Sequence, residues 1–144
     1  MKTATQRLEA ATRALDLQAL TLHSCEVGHG EAEHLVPGSV DIEHTLTFER
    51  SDTDDTNRVI FLIETRSLFK NSDDQVIADI AASFTAIYSL DDTASIADTD
   101  IESYGERMVL FQTYPFIREF LASMTNRLGV PTFFLPVLRS QDLA

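Results

Sequence analysis

The sequence predicts a single α+β domain over residues 1–144, and three features carry that prediction. Residues 40–90 hold long runs of alternating or dense apolar character divided by short polar turns, the pattern of an antiparallel meander. Residues 3–15 and the segment after residue 98 place apolar side chains at helical spacing instead. The length suits one core that holds only with good packing or with help from partner subunits.

Taken in order, Ala4, Leu8, Ala11 and Leu15 form one stripe, so a short amphipathic helix opens the chain. From about Leu17 to Val27 the alternation is mixed and ends in GHGEAEHLVPG, whose glycines and proline describe a long loop between strands. Residues 40–49 give the cleanest strand. Val40, Ile42, Leu46 and Phe48 face one way, with Asp41, Glu43, Thr45, Thr47 and Glu49 on the other side. SDTDDTN is a hairpin connection into RVIFLIETRSLF, where Val59, Phe61 and Ile63 oppose Ile60 and Leu62, so both faces are expected to be covered. KNSDD turns the chain into a last long strand carrying Val76, Ile80, Phe84 and Tyr88.

After the acidic loop DDTASIADTD, Thr99 and Glu102 have capping-box spacing, and a helix of about 12 residues is expected. Its stripe is Ile101, Tyr104, Met108 and Phe111. Val109 and Leu110 put apolar surface on other sides, which implies a second contact such as another subunit. Pro115 lacks an N–H and is best tolerated in a first turn, so a new helix is expected to begin there. Phe116, Ile117, Phe120, Leu121, Met124 and Leu128 share one arc of that helix, and Gly129 with Pro131 stops it. On spacing alone this arc reads as ordinary core.

Composition narrows the function. The formal charge of -12, from 11 Lys+Arg against 23 Asp+Glu, repels phosphate backbones, and no window gathers a basic patch, so nucleic acid is not expected as a partner. The acidity suits a solubilising surface and is compatible with docking a basic partner. Cys25 is the sole cysteine and forms no internal disulfide; it reads as a half-buried strand residue. The N-terminus has no apolar core of a signal peptide, and no apolar run approaches about 20 residues, so a cytoplasmic chain without membrane insertion is expected.

Catalytic chemistry is hard to find. No serine or cysteine sits in a nucleophile context. His29, Glu31, Glu33 and His34 of HGEAEH have metal-ligand character, but a glycine-flanked loop with no second cluster reads as solvated. DTDDTN begins like a calcium loop but lacks the glycine at its sixth position, and Ile63 occupies the twelfth. No phosphate loop occurs. The expectation is a non-enzyme with no catalytic residues, metal or cofactor, and with nine phenylalanines and an apolar C-terminal GVPTFFLPVL still to be explained.

YPFIREFLASMTNRLGVPTFFLPVL, residues 114–138, resembles the C-terminal signature of the SecB chaperone family. In that family an aromatic-Pro segment leads into a helix carrying Arg-Glu, followed by a Gly/Pro break and an extended Leu-Pro segment. AASFTAIYSL, residues 81–90, is similar to the family's last long strand, and the order of strands, crossover loop and helices fits residues 17–138. The resemblance implies a four-stranded antiparallel sheet with two main C-terminal helices on one face and a short N-terminal helix, assembled as a dimer of dimers. It also implies an ATP-independent holdase for unfolded polypeptides, either preproteins in export or an aggregation-prone antitoxin.

The resemblance places the client groove on Leu35, Val36, Ile42, Leu46, Phe48, Ile117, Phe120, Leu121, Met124, Phe134 and Val137. It gives the subunit interface to Ile101, Tyr104, Met108 and Phe111. The acidic residue that export-type members use to dock SecA falls at Ala81 here, with Asp79 two residues earlier, so SecA docking is not expected. YPFIREF and TNRLGVP are closer to the branch that includes toxin-antitoxin chaperones. The rival reading is a dedicated module for one specific partner, without general chaperone activity.

Overall fold

The computed structural model describes residues 3–30, 41–51, 57–91 and 96–129. Helix α1 (Ala4–Ala14) leads directly into strand β1 (Leu15–His29). Strands β2 (Asp41–Ser51), β3 (Arg58–Lys70) and β4 (Val76–Leu90) follow, and then helix α2 (Asp98–Tyr104), a π-turn over Gly105–Val109 and helix α3 (Leu110–Leu128). All strand pairs are antiparallel in the order β1-β4-β3-β2: the expected meander, with β1 added beyond β4. This is the expected α+β architecture.

Helix α1 starts with a capping box that the apolar stripe did not disclose. Thr3 Oγ1 accepts from Gln6 N at 3.2 Å, and Thr3 N donates to Gln6 Oε1 at 2.9 Å, satisfying two end-of-helix donors. Ala11 and Leu15 then face the core.

Strand β1 explains its mixed alternation by register. Breaks between Leu17 and Ala19 and between Leu22 and Ser24 each absorb one extra residue. Leu17, Leu20, Leu22, Cys25 and Val27 thus stay opposite Tyr88, Ala86, Phe84, Ala82 and Ile80, all on the helix side. Between β3 and β4, Asn71 Oδ1 accepts from the N–H groups of Asp73 and Gln75, and Asp74 takes the left-handed conformation at φ 61 that Asp tolerates.

Val59, Phe61 and Ile63 are at most 1% exposed on the helix side. Ile60 and Leu62 are only half-buried, which corrects the expectation of a strand covered on both faces. No described helix packs on their side, so cross-strand neighbours such as Ile87 and Thr85 are their shelter.

The helical region departs from expectation in three places. The Thr99–Glu102 capping box does not form: Ala97 is the N-cap, and Asp98 and Asp100 put negative charge in the first turn, with Asp98 paired to Arg50 at 3.1 Å. Pro115 does not start a helix but lies inside α3. Val109, Thr113, Ile117, Leu121 and Thr125, one every fourth residue, form a continuous buried stripe on both sides of it. Packing therefore overrides the proline, whose missing bond falls on the exposed side where the Phe111 carbonyl can meet water. Finally, one extra residue in the π-turn carries Val109 inward to 0% exposure and leaves Phe111 at 47%. The expected stop holds, with Gly129 at φ 73.

Gly105 begins the π-turn directly over the sheet. A Cβ there would lie 2.4 Å from Phe61 Cε1 and 3.1 Å from Phe48 Cε2. The Phe61 ring has little room to yield, because it packs on Phe48 at 6.1 Å and edge-on to Tyr88 at 5.9 Å, and Tyr88 meets Tyr104 at 5.7 Å. Gly105→Ala is expected to destabilise the fold by roughly 1–3 kcal/mol through overpacking. Urea unfolding checks this, and an unchanged midpoint would show that the ring shifts freely.

Candidate functional site

The helix side of the sheet is where the expected groove residues must meet. Leu35, Val36, Phe134 and Val137 lie outside the described residues. Ile42, Leu46 and Phe48 project from β2 to the helix side, opposite Phe69, Thr65 and Ile63. Ile42 is 37% exposed at the rim, whereas Leu46 and Phe48 are half-buried against the core. From α3, Phe120 and Met124 are half-buried, and Phe120 stands edge-on to Phe84 at 5.4 Å.

The remaining two groove residues behave differently. Ile117 and Leu121 are 0% exposed and clamp α3 to the sheet, so in this chain they position the helix and offer no surface to a client. Helix α3 rests mainly on β4 and β1, and Phe120 and Met124 lie on the same side of the sheet as the β2 trio.

The expected interface set divides in the same way. Ile101 and Tyr104 are 2% and 1% exposed and belong to the core, Met108 is half-buried, and Phe111 stands in water. Phe116, which the helical wheel put in the inward arc, is 57% exposed. Among the described residues, Leu22, Val27 and Ile42 complete the exposed large apolar side chains. The sequence signal for Leu22 and Val27 was hidden by the two register breaks. Cys25, expected half-buried, is exposed on the same strand.

Polar groups within this face are structural. Tyr88 Oη donates to Gln112 Oε1 at 2.7 Å, and Tyr104 Oη approaches the same oxygen at 3.4 Å. Burial pushes both phenols up, Tyr88 far above its ordinary range, so both stay neutral at any physiological pH. His44 Nδ1 and Ser67 Oγ are hydrogen-bonded at 2.8 Å, and Thr65 Oγ1 is buried without a partner. His29, expected in the metal-like loop, instead ends β1, and its Nε2 donates to the Leu128 carbonyl at 2.9 Å. Among the described residues no group of three or more His, Cys, Asp or Glu is placed to hold a metal ion.

The opposite, helix-free face carries Ile60, Leu62 and Ile87 toward one end and polar side chains across its middle. A depression of about 600 Å³ crosses it, bordered by the hydroxyls of Ser24, Thr45, Thr47 and Ser83 and by Glu26, Glu64 and Arg66. Arg66 grips Asp79 with Nη2 at 2.9 Å and Nε at 3.3 Å, an exposed pair that solvent screens. Strand β4 runs without a register break from Ala78 to Leu90, so Ala81 and Asp79 keep separate positions and no bulge brings Asp79 into the place of Ala81.

Neither a protein-family model nor a curated protein sequence matches the chain. Among solved structures, the fold matches the SecB-like chaperone Rv1957 of Mycobacterium tuberculosis in complex with a ChAD peptide from the Rv1956 HigA1 antitoxin. The TM-score is 0.76 at 21% identity, over 93% of this chain and 98% of that one. A protein of unknown function from Streptococcus agalactiae matches at a TM-score of 0.44 and 9% identity, over 85% of this chain and 96% of that one. The fold is therefore SecB-like.

Burial lowers the His44 pKa below its ordinary 6.5, because a half-dry imidazolium is disfavoured. As the pH falls through 6.5 the unfolded chain protonates first, so stability falls down to the folded-state pKa and levels off below it. Between about pH 7.5 and about pH 5.5 the urea midpoint should therefore fall further for the wild type than for His44→Gln. Equal falls would assign the pH dependence to other groups.

Proposed function

We propose that this protein is an ATP-independent holdase whose helix-side apolar surface binds extended, aggregation-prone polypeptide segments. The observation that carries this reading is the conjunction of a SecB-like fold with five large apolar side chains exposed among the described residues, on a chain of charge -12. Exposed apolar surface captures an unfolded segment, and the acidic remainder keeps the loaded complex dispersed. Ile42, Leu46, Phe48, Phe120 and Met124 are the client-contacting residues described here, with Leu35, Val36, Phe134 and Val137 as further groove members. The chaperone of the matching structure holds an antitoxin peptide, which favours an antitoxin-type client over a preprotein. SecA is not proposed as a partner. No bond is made or broken in this function.

Phe111 and Phe116, with Met108 beside them, are the surface we assign to contacts between copies, in a homo-oligomer assembled as a dimer of dimers in the cytoplasm. No helix among the described residues is long and apolar enough to cross a membrane. One observation favours the dedicated-module rival, namely that the matching chaperone carries a peptide of a single antitoxin. Competition separates the two, since a holdase exchanges one unfolded client for another.

The pure protein should suppress light scattering by a chemically unfolded client and form a complex with a permanently unfolded one. No suppression over a range of ratios would overturn the holdase reading. Ile42→Asp should weaken client binding about tenfold by putting a charge on the capture surface, and should lower the urea midpoint less than Leu46→Asp, because Ile42 is 37% exposed at the rim whereas Leu46 packs against the core. Phe111→Glu should lower the oligomer mass seen by native mass spectrometry, and an unchanged mass would move the interface elsewhere.

A further inference from the structure

Helices α1 and α2 enclose a cleft of about 110 Å³ with a composition unlike the rest of the surface. Arg7 of α1 and Arg107 of the π-turn line it together with Ala4, Leu8, Thr99, Asp100 and Ser103. Arg50, Arg66 and Lys70 each take a carboxylate partner. Among the described residues the guanidinium groups of Arg7 and Arg107 make no hydrogen bond or ion pair, not even to Asp100 beside them. Two arginines whose guanidinium groups take no partner among the described residues therefore line one small cleft, in a chain where acidic residues outnumber basic ones 23 to 11.

The π-turn sets this geometry. Thr99, Ser103 and Arg107 are four residues apart, and in an unbroken α-helix the third would stand about 80° around from the first. A turn closed i→i+5 winds less per residue, which returns Arg107 to the side of Thr99 and Ser103, facing α1. The same extra residue that buries Val109 thus aims a cation into the cleft.

We propose that this cleft binds a single phosphate group, as inorganic phosphate or as a phosphate monoester. Two guanidinium forks and two hydroxyls match the several oxygens of a tetrahedral dianion, and the lining carries a net +1 once Asp100 is counted. A monocarboxylate leaves one guanidinium unsatisfied and meets the Asp100 charge with less to offset it. The volume admits a phosphate group, and the cleft is open to solvent so that the remainder of a monoester can lie outside it. None of the residues proposed to meet a client takes part, so the site stands or falls separately from the holdase reading.

The test is calorimetric titration and thermal unfolding of the full chain with inorganic phosphate, O-phospho-L-serine and acetate, each at matched ionic strength against chloride. Phosphate or phosphoserine should bind and raise the Tm of the wild type and of Arg13→Gln, a control arginine outside the cleft. Arg7→Gln and Arg107→Gln should each weaken binding about tenfold, the loss of one charge-assisted contact. Binding of both ligands, or of inorganic phosphate alone, identifies a site for the free group; binding of phosphoserine alone identifies a phosphorylated side chain as the ligand. The proposal is overturned if no anion exceeds chloride, if acetate binds as tightly as phosphate, or if Arg13→Gln weakens binding as much as Arg107→Gln.

Discussion

The close approach of Gly105 to Phe61 is the constraint on which the rest of the helix side depends. Phe61 is fixed in plane by Phe48 on one strand and Tyr88 on another, and Tyr104 caps the column. A helix can cross such a column only where its backbone carries no side chain, and Gly105 supplies that point. The π-turn begins at the same residue and re-phases everything beyond it. Val109 turns in, Phe111 turns out, and the four-residue stripe from Val109 to Thr125 lies on the sheet.

That re-phasing produces the division of labour on α3. Ile117 and Leu121 hold the helix down, and their full burial leaves Phe120 and Met124 at the margin and Phe111 and Phe116 in water. A helix with two apolar margins, lying on a sheet whose edge strands also expose Leu22, Val27 and Ile42, leaves apolar surface that the described residues do not cover. The two edge strands differ in how their charges are managed. On β2 and β3 the charges pair across the helix-free face, as in Lys70 with Glu43, while the outer part of β1 is exposed from Thr21 to Val27. The apolar helix side and the hydroxyl-lined opposite face are thus chemically distinct surfaces on one sheet.

Much of this was legible in the residues. Alternation in β2 and dense apolar runs in β3 and β4 named the strands, because side chains on a pleated sheet repeat every two residues. Gly129 named the helix stop, since a left-handed C-cap favours glycine. The β1 alternation was blurred because two register breaks insert residues that no single-strand pattern contains. Each miss had its own cause: Phe116 sits at the margin of its arc, about 100° from the buried Ile117, the buried stripe carries α3 straight through Pro115, and α2 begins at Asp98 with Ala97 as its N-cap, ahead of the Thr99 box.

By itself, then, the sequence determined the local periods, the turns, the acidity and the resemblance carried by its C-terminal signature, all of which depend on residues near one another along the chain. Tertiary structure alone decided which side of each helix is wet, that Ile101, Tyr104, Ile117 and Leu121 are core rather than contact surface, and that Arg7 and Arg107 share a cleft. Those outcomes depend on how closely a helix can approach a particular aromatic ring in a distant strand, a distance that packing sets and local propensity does not encode.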